Sequence, residues 1–245
     1  MNEFADKKLS LFLGLALAII ITVFFCFSML FTAIGYDSMA YASGIESPVV
    51  PSERPTIVID AGHGGEDPGA VHGDVLEKDI NLRIALYLGE LFNSAGYRVV
   101  YTRTDDRLLY GEGEEERKKY HDAVHRVEIA ESAENPVLIS IHVNKFGISK
   151  YSGIQVFYSD VNSSSAELAN AIQNRIKLLQ PDNKRAVKDC LGSVYVLENF
   201  TGTGVLVECG FISNDNERAL LCDPEYCKKL AAVIFIAAAE YINGG

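Results

Sequence analysis

None of the five cysteines in this 245-residue chain forms a C-x-x-C pair, so the sequence carries no zinc-knuckle signature. Cys26 lies in an apolar N-terminal run, and Cys190, Cys209, Cys222 and Cys227 lie beyond it. Their spacing defines no disulfide pairing, and Cys209, inside an apolar strand pattern, reads as a small buried hydrophobe. Positive charge is also scarce. Lys and Arg number 22 against 33 Asp and Glu, for a formal net charge of −11, and the one basic triplet, Arg117-Lys118-Lys119, directly follows Glu114-Glu115-Glu116. That excludes nucleic acid as a partner, and it excludes holding an anionic polymer by bulk charge. An anionic ligand has to be gripped locally, for example by a metal ion. There is no internal repeat. The glycine-rich stretch Gly62–Gly65 lacks the Lys-Ser/Thr ending of a phosphate loop.

The longest feature present is the apolar run from Leu9 to Tyr36, which contains no charged residue. About 20 apolar residues span a bilayer as a helix. Lys7 and Lys8 precede the run and Asp37 follows it, which keeps the amino end in the cytoplasm and exports the rest. Ala40-Tyr41-Ala42 resembles a signal-peptidase site, but a signal h-region is usually only about 7–15 residues, so the run reads as an anchor before a cleaved leader. Either way the domain is extracytoplasmic: membrane-anchored, or secreted if the leader is cleaved. The expected organisation is 1–36 as cytoplasmic tip and transmembrane anchor, 37–55 as a Pro/Ser/Gly-containing linker, and 56–245 as one domain.

Within that domain two periods alternate. Thr56–Asp60, Tyr97–Arg103, Val137–His142, Gly153–Ser159, Val194–Leu197 and Val205–Glu208 read as strands. Glu77–Ala95, His121–Glu134 and Ser163–Leu179 read as helices. So does the segment opened by Asp223-Pro224, an N-cap followed by an N1 proline, and running to about Ile242. The expected class is α/β: a twisted, largely parallel but mixed sheet of about six strands with helices on both faces, plus the N-terminal transmembrane helix.

In such sheets ligands gather at the carboxyl ends of strands. The first strand runs into Gly62-His63, another ends in His142, and the last ends in Glu208, while Glu77 opens the first helix. Two histidines and one carboxylate form the three-ligand set of many catalytic zinc sites, and a second carboxylate can act as general base. His63, Glu77 and His142 fit the first role and Glu208 the second; Asp60 and Asn144 are candidates to orient ligands. A competing motif is His121-Asp122-Ala123-Val124-His125, which resembles H-E-x-x-H, but its Asp is one methylene shorter than the required base. The bland reading there is two surface histidines on a helix, and His72 reads as a loop residue. The charge run Glu112–Lys119 reads as a solvated face.

IVIDAGHGGEDPGA at 57–70, Glu77, SIHVN at 140–144 and VLVECGFISN at 205–214 together resemble the zinc-dependent N-acetylmuramoyl-L-alanine amidases of type 3. NSAGYRVVYTRTDD at 93–106 and GIQVFYS at 153–159 resemble that family's spacer segments. The resemblance runs from about Thr56 to Tyr241. It implies Zn²⁺ on His63, Glu77 and His142, with Glu208 as the catalytic glutamate. The implied substrate is peptidoglycan, cut between N-acetylmuramic acid and L-alanine. An N-terminal hydrophobic segment without wall-binding repeats is similar to the spore-cortex and germination branch. Glu198 departs from the pattern, since relatives often carry a basic residue after the VL of VYVLEN. The charge run is short for the blocking helix of some relatives, which argues against autoinhibition. An accessory regulatory protein is an expected partner, because an unrestrained wall amidase would be lethal. The alternatives are a non-catalytic wall-binding or sporulation scaffold of the same fold, and another zinc wall hydrolase, a peptidase or deacetylase.

Overall fold

The computed structural model describes residues 54–244. The expected anchor and nearly all of the expected linker lie outside the described residues. Among those described, no helix is long and apolar enough to cross a membrane.

Six strands form one mixed sheet. They are β1 (Thr56–Ala61), β4 (Val99–Tyr101), β5 (Pro136–Asn144), β6 (Gln155–Tyr158), β7 (Lys188–Asp189) and β8 (Thr203–Phe211), in the order β4-β1-β5-β8-β6-β7. β4, β1, β5 and β8 are mutually parallel, β6 runs antiparallel to β8, and β7 is parallel to β6. A two-residue hairpin, β2 (Val71–His72) and β3 (Val75–Leu76), stands apart. The three central strands are buried almost throughout, as continuous apolar runs covered on both faces must be.

Alternation sorts the strand residues onto two faces. Ile57, Ile59, Ile139, Ile141, Val205 and Val207 pack under α1 (Glu77–Ser94), α3 (Ser164–Ile176) and α6 (Pro224–Ile242). Val58, Leu138 and Leu206 pack on the other side against Ala130 of α2 (Lys118–Glu131) and Leu197 of α4 (Tyr195–Asn199). A further helix, α5 (Asp215–Cys222), lies between β8 and α6.

Helix ends follow local chemistry. α1 carries Glu77 and Asp79 in its first turn, where acidic groups complement the helix dipole. It ends at Gly96, whose φ of +80° allows Tyr97 N–H to reach Phe92 O and Gly96 N–H to reach Asn93 O, a Schellman closure. Asp223 caps α6 by accepting from Glu225 N–H, with Pro224 at the first position.

One expected strand is a helix. The pattern of Val194–Leu197 predicts an extended segment, yet Tyr195–Asn199 forms α4. Leu197 and Phe200, three residues apart, both bury against Leu206 and Leu138, so a period near that of a helix serves this face better than alternation. The sheet keeps six strands because β7 pairs with β6 at the edge.

Candidate metal-hydrolase site

The site forms where the chain leaves β1 and β5 in opposite directions, at their carboxyl ends. His63 follows β1 by two residues, His142 lies near the end of β5, and Glu77 opens α1. One donor atom from each of these three lies within 4.8 Å of the others. Glu77 Oε1 is 3.0 Å from His142 Nδ1 and 3.3 Å from His63 Nε2, and the two imidazoles meet edge to face at 5.0 Å. Glu77 is fixed by Ala70 N–H at 2.7 Å, Val143 N–H at 3.0 Å and Asn81 Nδ2 at 3.2 Å. His63 Nδ1 lies 2.7 Å from Asp67 Oδ2, which orients the ring.

Charge in the pocket favours a cation. Burial alone would lower the His63 pKa, but Glu77 and Asp67 outweigh it and raise that group to about 9. Burial likewise opposes ionisation of Glu77, yet the hydrogen bonds and charges of His142 and His63 hold its carboxyl far below the usual range.

Glu208 pairs in register with His142, so the two side chains project from adjacent strands on the same sheet face. Burial pushes its carboxyl up to about 7; the charge of Glu77 adds to this, and the two imidazoles pull the other way. Its Oε2 is buried and has no hydrogen-bond partner among the described residues. A buried carboxylate oxygen left unpaired costs free energy unless a bound group satisfies it. Two imidazoles, a carboxylate and an unsatisfied second carboxylate therefore fit a catalytic Zn²⁺ with room for water.

Gly62 and Gly69 clear space for these side chains. A Cβ on Gly62 would collide with the His142 ring. A Cβ on Gly69 would lie 2.6 Å from Glu77 Oε2 and 2.7 Å from His63 Cδ2.

The N-acetylmuramoyl-L-alanine amidase family model matches residues 57–240. The chain belongs to this family. The germination-specific N-acetylmuramoyl-L-alanine amidase of Bacillus subtilis (strain 168) is 35% identical over 196 residues, covering 79% of this chain and 82% of that protein. The structure of the CwlD amidase from Clostridioides difficile, in complex with the GerS lipoprotein, is 41% identical with a TM-score of 0.74, covering 78% of this chain and all of that one. The catalytic domain of CwlV, an amidase from Bacillus (Paenibacillus) polymyxa var. colistinus, is 31% identical with a TM-score of 0.66, covering 77% and 98%.

The other candidates of this amidase lie elsewhere. Asp60 touches neither histidine: it accepts from Thr102 Oγ1 (2.8 Å), Ser140 Oγ (2.6 Å) and Arg126 Nη1 (2.6 Å). Burial would raise its carboxyl, but Arg126 and the hydrogen bonds outweigh that and bring it to about 2. Asn144 accepts Ile212 N–H through its backbone carbonyl, just past the register shift in the β5–β8 pairing. His121 and His125 stand on α2 with ring nitrogens 3.2 and 3.5 Å from Glu114 Oε1, outside the His63–Glu77–His142 group. His72 is exposed. Cys190, Cys209, Cys222 and Cys227 are free thiols, and Cys209 is buried.

Sequence reasoning missed the support beneath the ligand loop. Arg126 and Arg103 are buried and donate to three consecutive carbonyls: Ala61 O from both, Gly62 O from Arg103, and His63 O from Arg126. His63 sits at a φ of +61°, a left-handed conformation that few side-chain-bearing residues adopt, and these bonds hold it there. Asp60 and Asp122 neutralise Arg126. An arginine in a strand or helix pattern carries no signal that it faces inward.

Proposed function

We propose that the chain hydrolyses the amide between N-acetylmuramic acid and L-alanine in peptidoglycan, using Zn²⁺ held by His63, Glu77 and His142. The observation that carries this reading is Glu208, set beside His142 with a buried, unpaired Oε2. A Zn²⁺ bound there supplies Lewis acidity toward a carbonyl oxygen and lowers the pKa of water. Glu208 accepts the proton of the attacking water as the new C–O bond forms. With a pKa near neutrality it then returns that proton to the departing alanine nitrogen as the C–N bond breaks. Asp67 keeps His63 in one tautomer and orientation, and Glu77 is held by two backbone N–H groups.

The family and the relatives support the amide specificity, and the germination-specific relative supports a role in the spore cortex. The apolar run before the domain supports a membrane-tethered, extracytoplasmic location. Because CwlD is seen with a lipoprotein, an accessory protein on the same membrane face is the partner class we infer.

The test is product analysis on purified peptidoglycan with and without a chelator. Stem peptide bearing a new alanine amine, lost on chelation and restored by Zn²⁺, is expected. Release of acetate or of a shortened peptide would show a deacetylase or peptidase instead, and a zinc-loaded protein releasing nothing would leave a wall-binding scaffold.

A further inference from the structure

Arg185 is held in place without a counter-charge. Its Nε donates to Ser152 O at 2.7 Å, its Nη1 donates to Gln155 Oε1 at 2.9 Å, and its guanidinium lies 4.6 Å from the centre of the Phe211 ring. Gly153, at a φ of +101°, makes room for it: a Cβ there would lie 3.2 Å from Arg185 Cδ and Nε. All of these partners are neutral. Among the described residues Arg185 forms no ion pair and its Nη2 has no hydrogen-bond partner. Three cations nearer the ligands do have counter-charges, Lys78 with Asp106, Lys119 with Asp67 and Arg126 with Asp60. Glu217, which lines the same hollow of about 560 Å³, directs its oxygens to Gly153 N–H, Phe211 N–H and Gln180. A preorganised guanidinium with a free donor edge, in a chain of net charge −11, is a receptor for an anion.

Its position relative to the chemistry follows from the strand register. His142, Glu208 and Gln155 are consecutive partners across β5, β8 and β6, so their side chains form a row on one sheet face. Arg185 extends that row beyond Gln155. Neighbouring strands lie about 4.8 Å apart, and one residue of extended peptide covers about 3.3–3.6 Å. A group one to two strands beyond Glu208 therefore meets a peptide one or two residues past the scissile amide. In peptidoglycan stems the residue after L-alanine is linked through its side-chain carboxyl, which leaves its α-carboxyl free or amidated.

We propose that Arg185 is a specificity-determining residue that binds the free α-carboxylate of the second stem residue. This rests on the amidase reading above. The experiment uses the zinc-loaded full-length protein and two soluble muropeptides that differ only in carrying a carboxylate or a carboxamide at that position. Wild type is expected to favour the carboxylate by roughly 10–100-fold in kcat/KM, the worth of a charge-assisted hydrogen bond. Arg185→Gln is expected to abolish that preference while staying within about threefold of wild type on the carboxamide. Arg185→Lys, which keeps the charge and loses the fork, is expected to retain part of it. Equal rates for the two substrates in wild type, an intact preference in Arg185→Gln, or an equal loss on both substrates would overturn the proposal while leaving the amidase standing. Acetate or shortened peptide in place of the alanine amine would instead overturn the amidase reading, and Arg185's role with it.

Discussion

Gly62→Ala tests the ligand pocket with one methyl group. Gly62 has no left-handed φ, so alanine is compatible with its backbone, and in the unfolded chain the change is mildly favourable to stability. Its cost lies in a single contact. The new Cβ would sit 2.7 Å from His142 Cδ2 and closer still to Cε1 and Nε2. Cε1 would lie only 2.2 Å away. Carbon atoms pack at about 3.5–4.0 Å, so the ring must retreat by at least about 1.3 Å. Metal–ligand distances tolerate about 0.2 Å, so the retreat exceeds the tolerance roughly sixfold. We expect zinc affinity, measured by competition with a chromogenic chelator, to fall by at least about 10–100-fold, with amidase activity falling alongside it. The thermal midpoint of the metal-free protein should move little. Gly147→Ala is the control, since a Cβ there meets nothing within 4 Å, and it should leave all three quantities unchanged. A Gly62→Ala protein that binds zinc as wild type does, and cleaves as fast, would refute the assignment of His142 as a ligand.

Glu208→Gln should keep its zinc by elemental analysis while slowing cleavage by roughly 10²–10⁴-fold; an active zinc-loaded variant would remove Glu208 from the mechanism. Asp67→Ala frees His63 Nδ1 and should weaken zinc binding by roughly 10–100-fold in a chelator titration. Asp60, held at about 2 against an ordinary 3.8, has a depressed folded-state pKa. It therefore contributes stability above pH 3.8 that is lost as pH falls through about 2. That contribution is roughly 2 kcal/mol, visible as a fall in denaturation midpoint over this window that is flattened in Asp60→Asn.

The parts of the fold that could be read in advance are those whose pattern has one physical cause. β1, β5 and β8 are apolar runs because helices cover both faces, and α6 is announced by Asp223-Pro224. α4 departs from its local pattern because Val-Tyr-Val-Leu has strong strand propensity, and only the second core, with Leu197 and Phe200 buried together, shows why it coils. The site divides in the same way. Histidines at strand ends and a glutamate opening a helix point to metal chemistry through residue type and topology. The buried roles of Arg103, Arg126 and Asp60 depend on which side of an element packs inward, and a polar residue in an apolar pattern does not say. Gly62 and Gly69 were visible as glycines, but the side chains they accommodate come from β5, α1 and the loop after β1.

The edge strands of the sheet are very short, three residues in β4 and two in β7, and β7 ends the array with Lys188 and Asp189. Each edge exposes only a few backbone donors and acceptors, too short a template for a strand of a neighbouring molecule to dock against. With such blunt margins, encounters between copies do not become growing β-stacked aggregates.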